Sequence, residues 1–144
     1  MKVLMKKVSE KAIPLKLGST GAAAYDVCYA GEYSVFLQSG GVHKCPTGWA
    51  FELPEGTAML ILPRSGLATN DRLRPANTPG LLDHDYRGEL FVALENFGKI
   101  GQTIEPGQRI AQVMIVHAPR MQMLEVSDLS STERGNGAFG STGR

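Results

Sequence analysis

The chain has 144 residues, a length that one domain accounts for, and its 17 Gly and 8 Pro stand above the usual ~12% for those two residues together, which argues against a helical bundle. Its 15 basic and 14 acidic residues leave a net charge of +1, so the expectation is no nucleic-acid or membrane partner, and any anion must be met by a local basic cluster. Cys28 and Cys45 come without a Cys-x-x-Cys pair or clustered His, so neither a disulfide framework nor a zinc site is indicated. The apolar run at Met1-Lys2-Val3-Leu4-Met5-Lys6-Lys7 breaks too early for a signal peptide, and nowhere do 18 apolar residues follow one another, so a cytoplasmic location is expected.

In chain order, short apolar runs predict strands at Val3 to Val8, Ala23 to Tyr29, Tyr33 to Leu37, Trp49 to Leu53, Thr57 to Leu62, Glu89 to Asn96, Arg109 to His117 and Met121 to Val126. Gly, Pro, Asn and Asp fall between them, at Gly18-Ser19-Thr20-Gly21, Ser39-Gly40-Gly41, Pro54-Glu55-Gly56, Pro79-Gly80, Asn96-Phe97-Gly98 and Glu105-Pro106-Gly107. One short helix is expected around Gly66 to Asn70. The pattern is that of an all-β sandwich or barrel. Val113-Met114-Ile115-Val116 is apolar on both faces, so that strand should be covered twice, by a second sheet or by a neighbouring subunit. From Ser127 to Arg144 no apolar period survives, which marks residues 1–126 as core and 127–144 as a Gly-rich C-terminal arm.

Asp83-His84-Asp85-Tyr86-Arg87-Gly88 places two carboxylates at i and i+2 beside an aromatic ring, on a hairpin that Pro79-Gly80 would turn. Such a cluster is either a solvated acidic turn or a carboxylate that holds a water or metal next to a flat wall for a ring-shaped ligand. Pro63-Arg64-Ser65-Gly66-Leu67-Ala68 follows an apolar strand and opens the short helix. There the Arg64 guanidinium, the Ser65 hydroxyl and backbone N–H groups can converge on phosphate, or Ser65 can serve as a plain N-cap. Gln112 enters a buried strand and must find a hydrogen-bond partner. The tail Arg134-Gly135-Asn136-Gly137-Ala138-Phe139-Gly140-Ser141-Thr142-Gly143-Arg144 holds a G-x-G-x-x-G string, but the chain stops before the helix and acidic residue of a dinucleotide site. Its Arg134, Phe139, Ser141 and Thr142 suit a phosphate clamp with an aromatic lid as well as a plain terminus. His43, His84 and His117 are scattered and read as structural.

Five segments in order resemble the homotrimeric dUTPases (deoxyuridine 5'-triphosphate nucleotidohydrolases): GAAAYDV at 21 to 27, PRSGLA at 63 to 68, NTPGLLDHDYRGE at 77 to 89, PGQRIAQ at 106 to 112 and RGNGAFGSTG at 134 to 143. The resemblance implies a jelly-roll-like β fold, three active sites at subunit interfaces of a homotrimer, and an arm that closes a neighbour's site. It implies Mg²⁺-assisted hydrolysis of dUTP to dUMP and pyrophosphate, which limits uracil incorporation into DNA and supplies dUMP for thymidylate synthesis. By position, Asp83 is the base for the attacking water, and Tyr86 lies against the deoxyribose. The backbone around Gly80 and Leu82, with Asn77, reads uracil. Arg64, Ser65, Gly66, Gln112, Arg134, Gly140, Ser141 and Thr142 hold the triphosphate, Phe139 stacks on the base, and Asp26 acts near the metal through water. Asn136 and Ala138 depart from the more common RGTGGFGSTG, and Ala138 is expected to stiffen the arm. A dCTP deaminase of the same superfamily would need a Glu base, for which Glu89 is the nearby candidate. A non-catalytic nucleotide sensor on the same scaffold is the third reading, and the presence of Asp83 and of the arm argues against it.

Overall fold

Glu89–Asn96 buries every second residue, so Leu90, Val92, Leu94 and Asn96 point inward while Glu89, Phe91, Ala93 and Glu95 face out. That period-2 pattern organises the whole molecule, which is described here for residues 1–138 from a computed structural model. In chain order the strands are β1 (Leu4–Lys7), β2 (Lys16–Leu17), β3 (Tyr25–Cys28), β4 (Val35–Leu37), β5 (Val42–Glu52), β6 (Thr57–Leu62), β7 (Leu73–Pro75), β8 (Gly80–Asp83), β9 (Glu89–Asn96), β10 (Gln102–Ile104) and β11 (Arg109–His117). They form a four-stranded sheet ordered β1-β5-β9-β7, a five-stranded sheet ordered β2-β3-β11-β6-β8, and a β4–β10 pair, all antiparallel. The all-β, jelly-roll-like expectation holds. The core fills the space between the large sheets, with Val27, Met59, Ile61, Leu82 and Val113 from one side and Phe51, Leu90, Val92 and Leu94 from the other.

Several expected elements differ. The strand expected at Trp49 to Leu53 begins at Val42 and runs through Pro46 and Gly48, across an irregularity in the β5–β9 register between Pro46 and Ala50. The expected helix is a single turn, π-helical over Leu67–Asp71, ended by Arg72 in the left-handed region at φ 57°. Met121 to Val126 forms no strand, and its apolar side chains are exposed. Among the described residues no helix is long and apolar enough to cross a membrane.

Asn96 is fully buried, and its side chain ties the end of β4 to the loop after β9. Its Nδ2 donates to the carbonyls of Leu37 (2.9 Å) and Ile100 (2.8 Å), and its Oδ1 accepts from the Gly98 N–H (2.9 Å). Truncation leaves two carbonyls and one N–H without partners. Asn96→Ala is therefore expected to cost ~3 kcal/mol or more, read as a lower urea midpoint, and Asn96→Leu, which restores volume without polarity, should not recover it.

Candidate functional site

The phosphate-facing residues expected from the sequence meet on the outer face of the five-stranded sheet. Gln112 on β11 lies opposite Asp26 on β3 and opposite Leu62 on β6, so Asp26, Gln112 and the residue leading to Arg64 share one row. Asp26 Oδ1 accepts from Arg64 Nε at 2.8 Å and its Oδ2 from Arg109 Nη1 at 2.9 Å. Gln112 Nε2 donates to the Pro63 carbonyl at 2.9 Å, which fixes the chain just before Arg64. Ser65 and Gly66 follow, exposed, and the turn they open carries no side-chain cap, so the N-cap alternative for Ser65 is not what the structure adopts.

Sequence reading gave Arg109 no role. A register shift between Arg109 and Ala111 on β11 explains its place: Cys28 pairs with Arg109 and Val27 with Ala111, two residues matched against three. The extra residue turns Arg109 onto the face of Gln112 and Asp26. Simple alternation would put it on the opposite face.

The other half of the site lies across the sheet. β8 is its edge, paired to β6 on one side only, so the N–H and C=O groups along its free side are available to a ligand. Leu82 sends its side chain into the core and offers only backbone, while Gly80 keeps the wall open. A Cβ on Gly80 would stand 3.2 Å from Ile61 Cβ and 3.4 Å from Asn77 Nδ2. The turn after Asp83 is stapled by Tyr86 N–H to the Asp83 carbonyl (3.2 Å) and by Arg87 Nη1 to the carbonyls of His84 (2.6 Å) and Tyr86 (3.1 Å). The Tyr86 hydroxyl donates to the Glu89 carbonyl (3.2 Å), over a Gly88 that has no room for a Cβ. A cavity of about 250 Å³ results, lined among others by Asn77, Gly80, Leu82, Asp83 and Tyr86. It is smaller than the ~300–1,000 Å³ of drug-sized ligand sites and suits a ring with its sugar.

Two expectations need correction. Asp83 ends β8, and Asp85 falls in the following turn, so the two carboxylates do not share a strand face as i and i+2 would. Pro79-Gly80 also turns no hairpin, because the strands on either side of it, β7 and β8, belong to different sheets. Glu89, the candidate base of the deaminase reading, accepts the Gly48 N–H at 2.7 Å and so helps to hold the cavity wall.

The two clusters do not meet within one chain. Asp83 pairs with Ala58 and Gln112 with Leu62, so four residues along β6 and three strand spacings separate Asp83 from Asp26, roughly 20 Å at ~3.3 Å per residue and ~4.8 Å per strand. Arg134 lies in an exposed turn where its Nε donates to the Gly137 carbonyl at 2.9 Å, and Phe139, Gly140, Ser141 and Thr142 are outside the described residues. A larger groove of about 600 Å³, lined by Val3, Leu15, Trp49, Phe51 and Ile115 among others, has no charged side chain in its wall and does not suit a polyanion.

Both thiols are held protonated. Burial, and then the Asp26 carboxylate, push the Cys28 thiol up, while burial pushes Cys45 up to about 12 from its ordinary 9.0. A folded chain that holds the Cys45 proton more tightly than the unfolded chain keeps this contribution in full below pH 9 and loses it as pH rises toward 12. The urea midpoint is therefore expected to fall above pH 9, less steeply in Cys45→Ala, and thiol reagents at pH 8 should label Cys45 only on unfolding.

The dUTPase family model matches residues 10–143. The chain is 42% identical over 146 aligned positions to the deoxyuridine 5'-triphosphate nucleotidohydrolase of Dictyoglomus turgidum, covering 99% of each chain. It is 45% identical over 122 positions to that of Rickettsia prowazekii, covering 85% of this chain and 82% of the relative. The solved structure of the Staphylococcus bacteriophage 80alpha dUTPase with dUpNHpp superposes with a TM-score of 0.84 over 99% of each chain, and at 24% identity this likeness concerns the fold alone.

Proposed function

From the premise that this chain belongs to the dUTPase family, we propose that it hydrolyses dUTP to dUMP and pyrophosphate at sites shared between copies of the chain. The observation that carries this reading is the partition of the site. The base-sized cavity with Asp83 and the paired cations at Asp26 lie at opposite corners of one sheet face, so the cavity of one copy needs the Arg64–Gln112 surface of another. A homotrimer with three such sites, a core of residues 1–126 and an arm of 127–144 reaching a neighbour's site complete the proposal.

The roles follow from chemistry. The uracil edge meets the free side of β8 at Gly80 and Leu82, with Asn77 alongside. Backbone groups fixed in a sheet cannot rearrange to suit cytosine, which reverses the donor and acceptor pattern at N3 and C4, and a mismatched buried group gives ~10⁴–10⁵ discrimination. Tyr86 stands against the deoxyribose, where a ribose 2′-hydroxyl would collide. Arg64, Ser65, Gly66 and Gln112, with Arg134, Gly140, Ser141 and Thr142 of the arm, hold the triphosphate, and Phe139 stacks on the base. The Asp83 carboxylate takes a proton from water as the water oxygen attacks the α-phosphorus, and the bond from that phosphorus to the bridging oxygen breaks to release pyrophosphate.

Mg²⁺ fits this donor set as a companion of the triphosphate. Among the described residues no three His, Cys, Asp or Glu side chains converge on one point, and both Asp26 oxygens already accept from arginine, which leaves Asp26 an outer contact through water. Bound there, the ion supplies charge neutralisation across the phosphate oxygens.

Pyrophosphate release should be seen with dUTP and be at least ~100-fold slower with dCTP, dTTP and UTP, and Asp83→Asn should lower kcat by ~10²–10⁴ while still binding dUTP. Binding without cleavage in the wild type would instead make the protein a nucleotide sensor, and ammonia from dCTP would make it a deaminase. Chelation should abolish turnover and added Mg²⁺ restore it. Light scattering should return the mass of three chains, and a stable monomer would leave the proposed site without half its residues.

A further inference from the structure

Arg87 stands on the crossing from β8 to β9, residues 84–88, which leaves the five-stranded sheet at Asp83 and enters the four-stranded sheet at Glu89. Sheet ladders hold both ends of that crossing, since Asp83 pairs with Ala58 and Glu89 with Ala50. Tyr86 between them belongs to no strand and is 46% exposed, so the hydrogen bonds of the turn, and not a ladder, set where its ring stands. Its own N–H and hydroxyl donate at 3.2 Å each, to the Asp83 and Glu89 carbonyls, at the long end of the usual range. The shortest bond of the turn comes from Arg87, whose Nη1 donates at 2.6 Å to the His84 carbonyl and at 3.1 Å to that of Tyr86.

The geometry points to Arg87 as a positioning residue that acts through Tyr86 to set the preference for a deoxyribose over a ribose. This rests on the proposed dUTP reading, in which the Tyr86 ring stands against the sugar. One guanidinium nitrogen grips the peptide group before Asp85 and the one after Tyr86, which fixes the backbone between them and with it the direction in which the Tyr86 side chain leaves the chain. Rejection of a hydroxyl by collision requires a wall that does not yield, and an exposed ring on a loose turn yields. The Glu52 carboxylate on β5 stands 3.9 Å from Arg87 Nε, but both side chains are more than half exposed, so water screens that pair and the two carbonyl bonds carry the effect. The Asp83 backbone is held by β6 without Arg87, so loss of the guanidinium separates the sugar wall from the carboxylate that activates water.

The test is the ratio of kcat/KM for dUTP to that for UTP in the full chain with Mg²⁺, for wild type, Arg87→Met, Arg87→Lys and Glu52→Gln, with the urea midpoint of each. Where UTP turnover is too slow to read, inhibition constants of dUMP and UMP give the corresponding ratio. Arg87→Met, which keeps the stem and removes the donors, should lower the ratio ~10-fold, since small displacements of a positioning group have effects of that order. Arg87→Lys keeps a donor-only charge without the planar fork and should fall between, and Glu52→Gln should keep the wild-type ratio. A purely structural role would lower the urea midpoint and both substrates together and leave the ratio unchanged. An unchanged ratio in Arg87→Met overturns the inference alone, as does an equal fall in Glu52→Gln, which would place the effect in the ion pair. A wild type that never cleaves dUTP overturns the reading beneath it.

Discussion

The Asp26 carboxylate is the constraint on which the arginine-bearing corner of the five-stranded sheet depends. It is only 15% exposed, and it accepts one charge-assisted bond from Arg64 and one from Arg109. Three chain segments are thereby fixed to one another: β3, the turn after β6, and the bulged start of β11. Without the carboxylate, two guanidiniums on one sheet face would repel each other and lose their orientation. With it, Arg64 commits Nε to the sheet, and in the proposed function its other N–H donors serve a phosphate. Gln112 does for the backbone what Asp26 does for the side chain, since it holds the Pro63 carbonyl and so the path into Arg64–Gly66.

Much of the fold was legible because one face of each sheet is buried and alternation follows directly. β9 and β6 appear in the sequence at their observed limits, and β11 likewise. Illegibility had specific causes. Pro46 and Gly48 carry breaker chemistry but sit where the β5–β9 ladder slips, so the strand continues through them. β7 and β8 are three and four residues long, too short for a period to show. Met121 to Val126 has the composition of a strand yet pairs with none, and whether a run finds a partner strand is not written in its local pattern.

The site was legible as segments and illegible as a place. Asp26, Arg64 and Gln112 could be named from motif resemblance, yet Arg109 joins them only through a bulge that reverses its expected face. Lys44 and Phe91 lie between the motif segments and reach the cavity through pairing of β5 with β9, a relation spread over almost fifty residues of chain. Asp83 and Asp85 look equivalent in sequence, and the end of β8 separates them.

An exposed edge strand ordinarily invites unwanted pairing. Here β8 is short, ends in a charged residue and turns sharply at once, so it is closed to another strand and open to a flat ring. In the proposed function, reading a base with such an edge ties selectivity to sheet geometry, which single substitutions change little. Between the two half-sites the same face carries Leu60, Leu62, Met114 and Val116, half-buried, and an exposed Leu81. Water contact with that apolar stretch is unfavourable, and among the described residues no further strand covers it. In the proposed assembly a neighbouring copy covers it and, by the same contact, brings its cationic corner toward the Asp83 cavity. Desolvation of the sheet and completion of the site then become one event, which explains how the chain can keep its two halves roughly 20 Å apart, at ~3.3 Å per residue and ~4.8 Å per strand, and still perform one reaction.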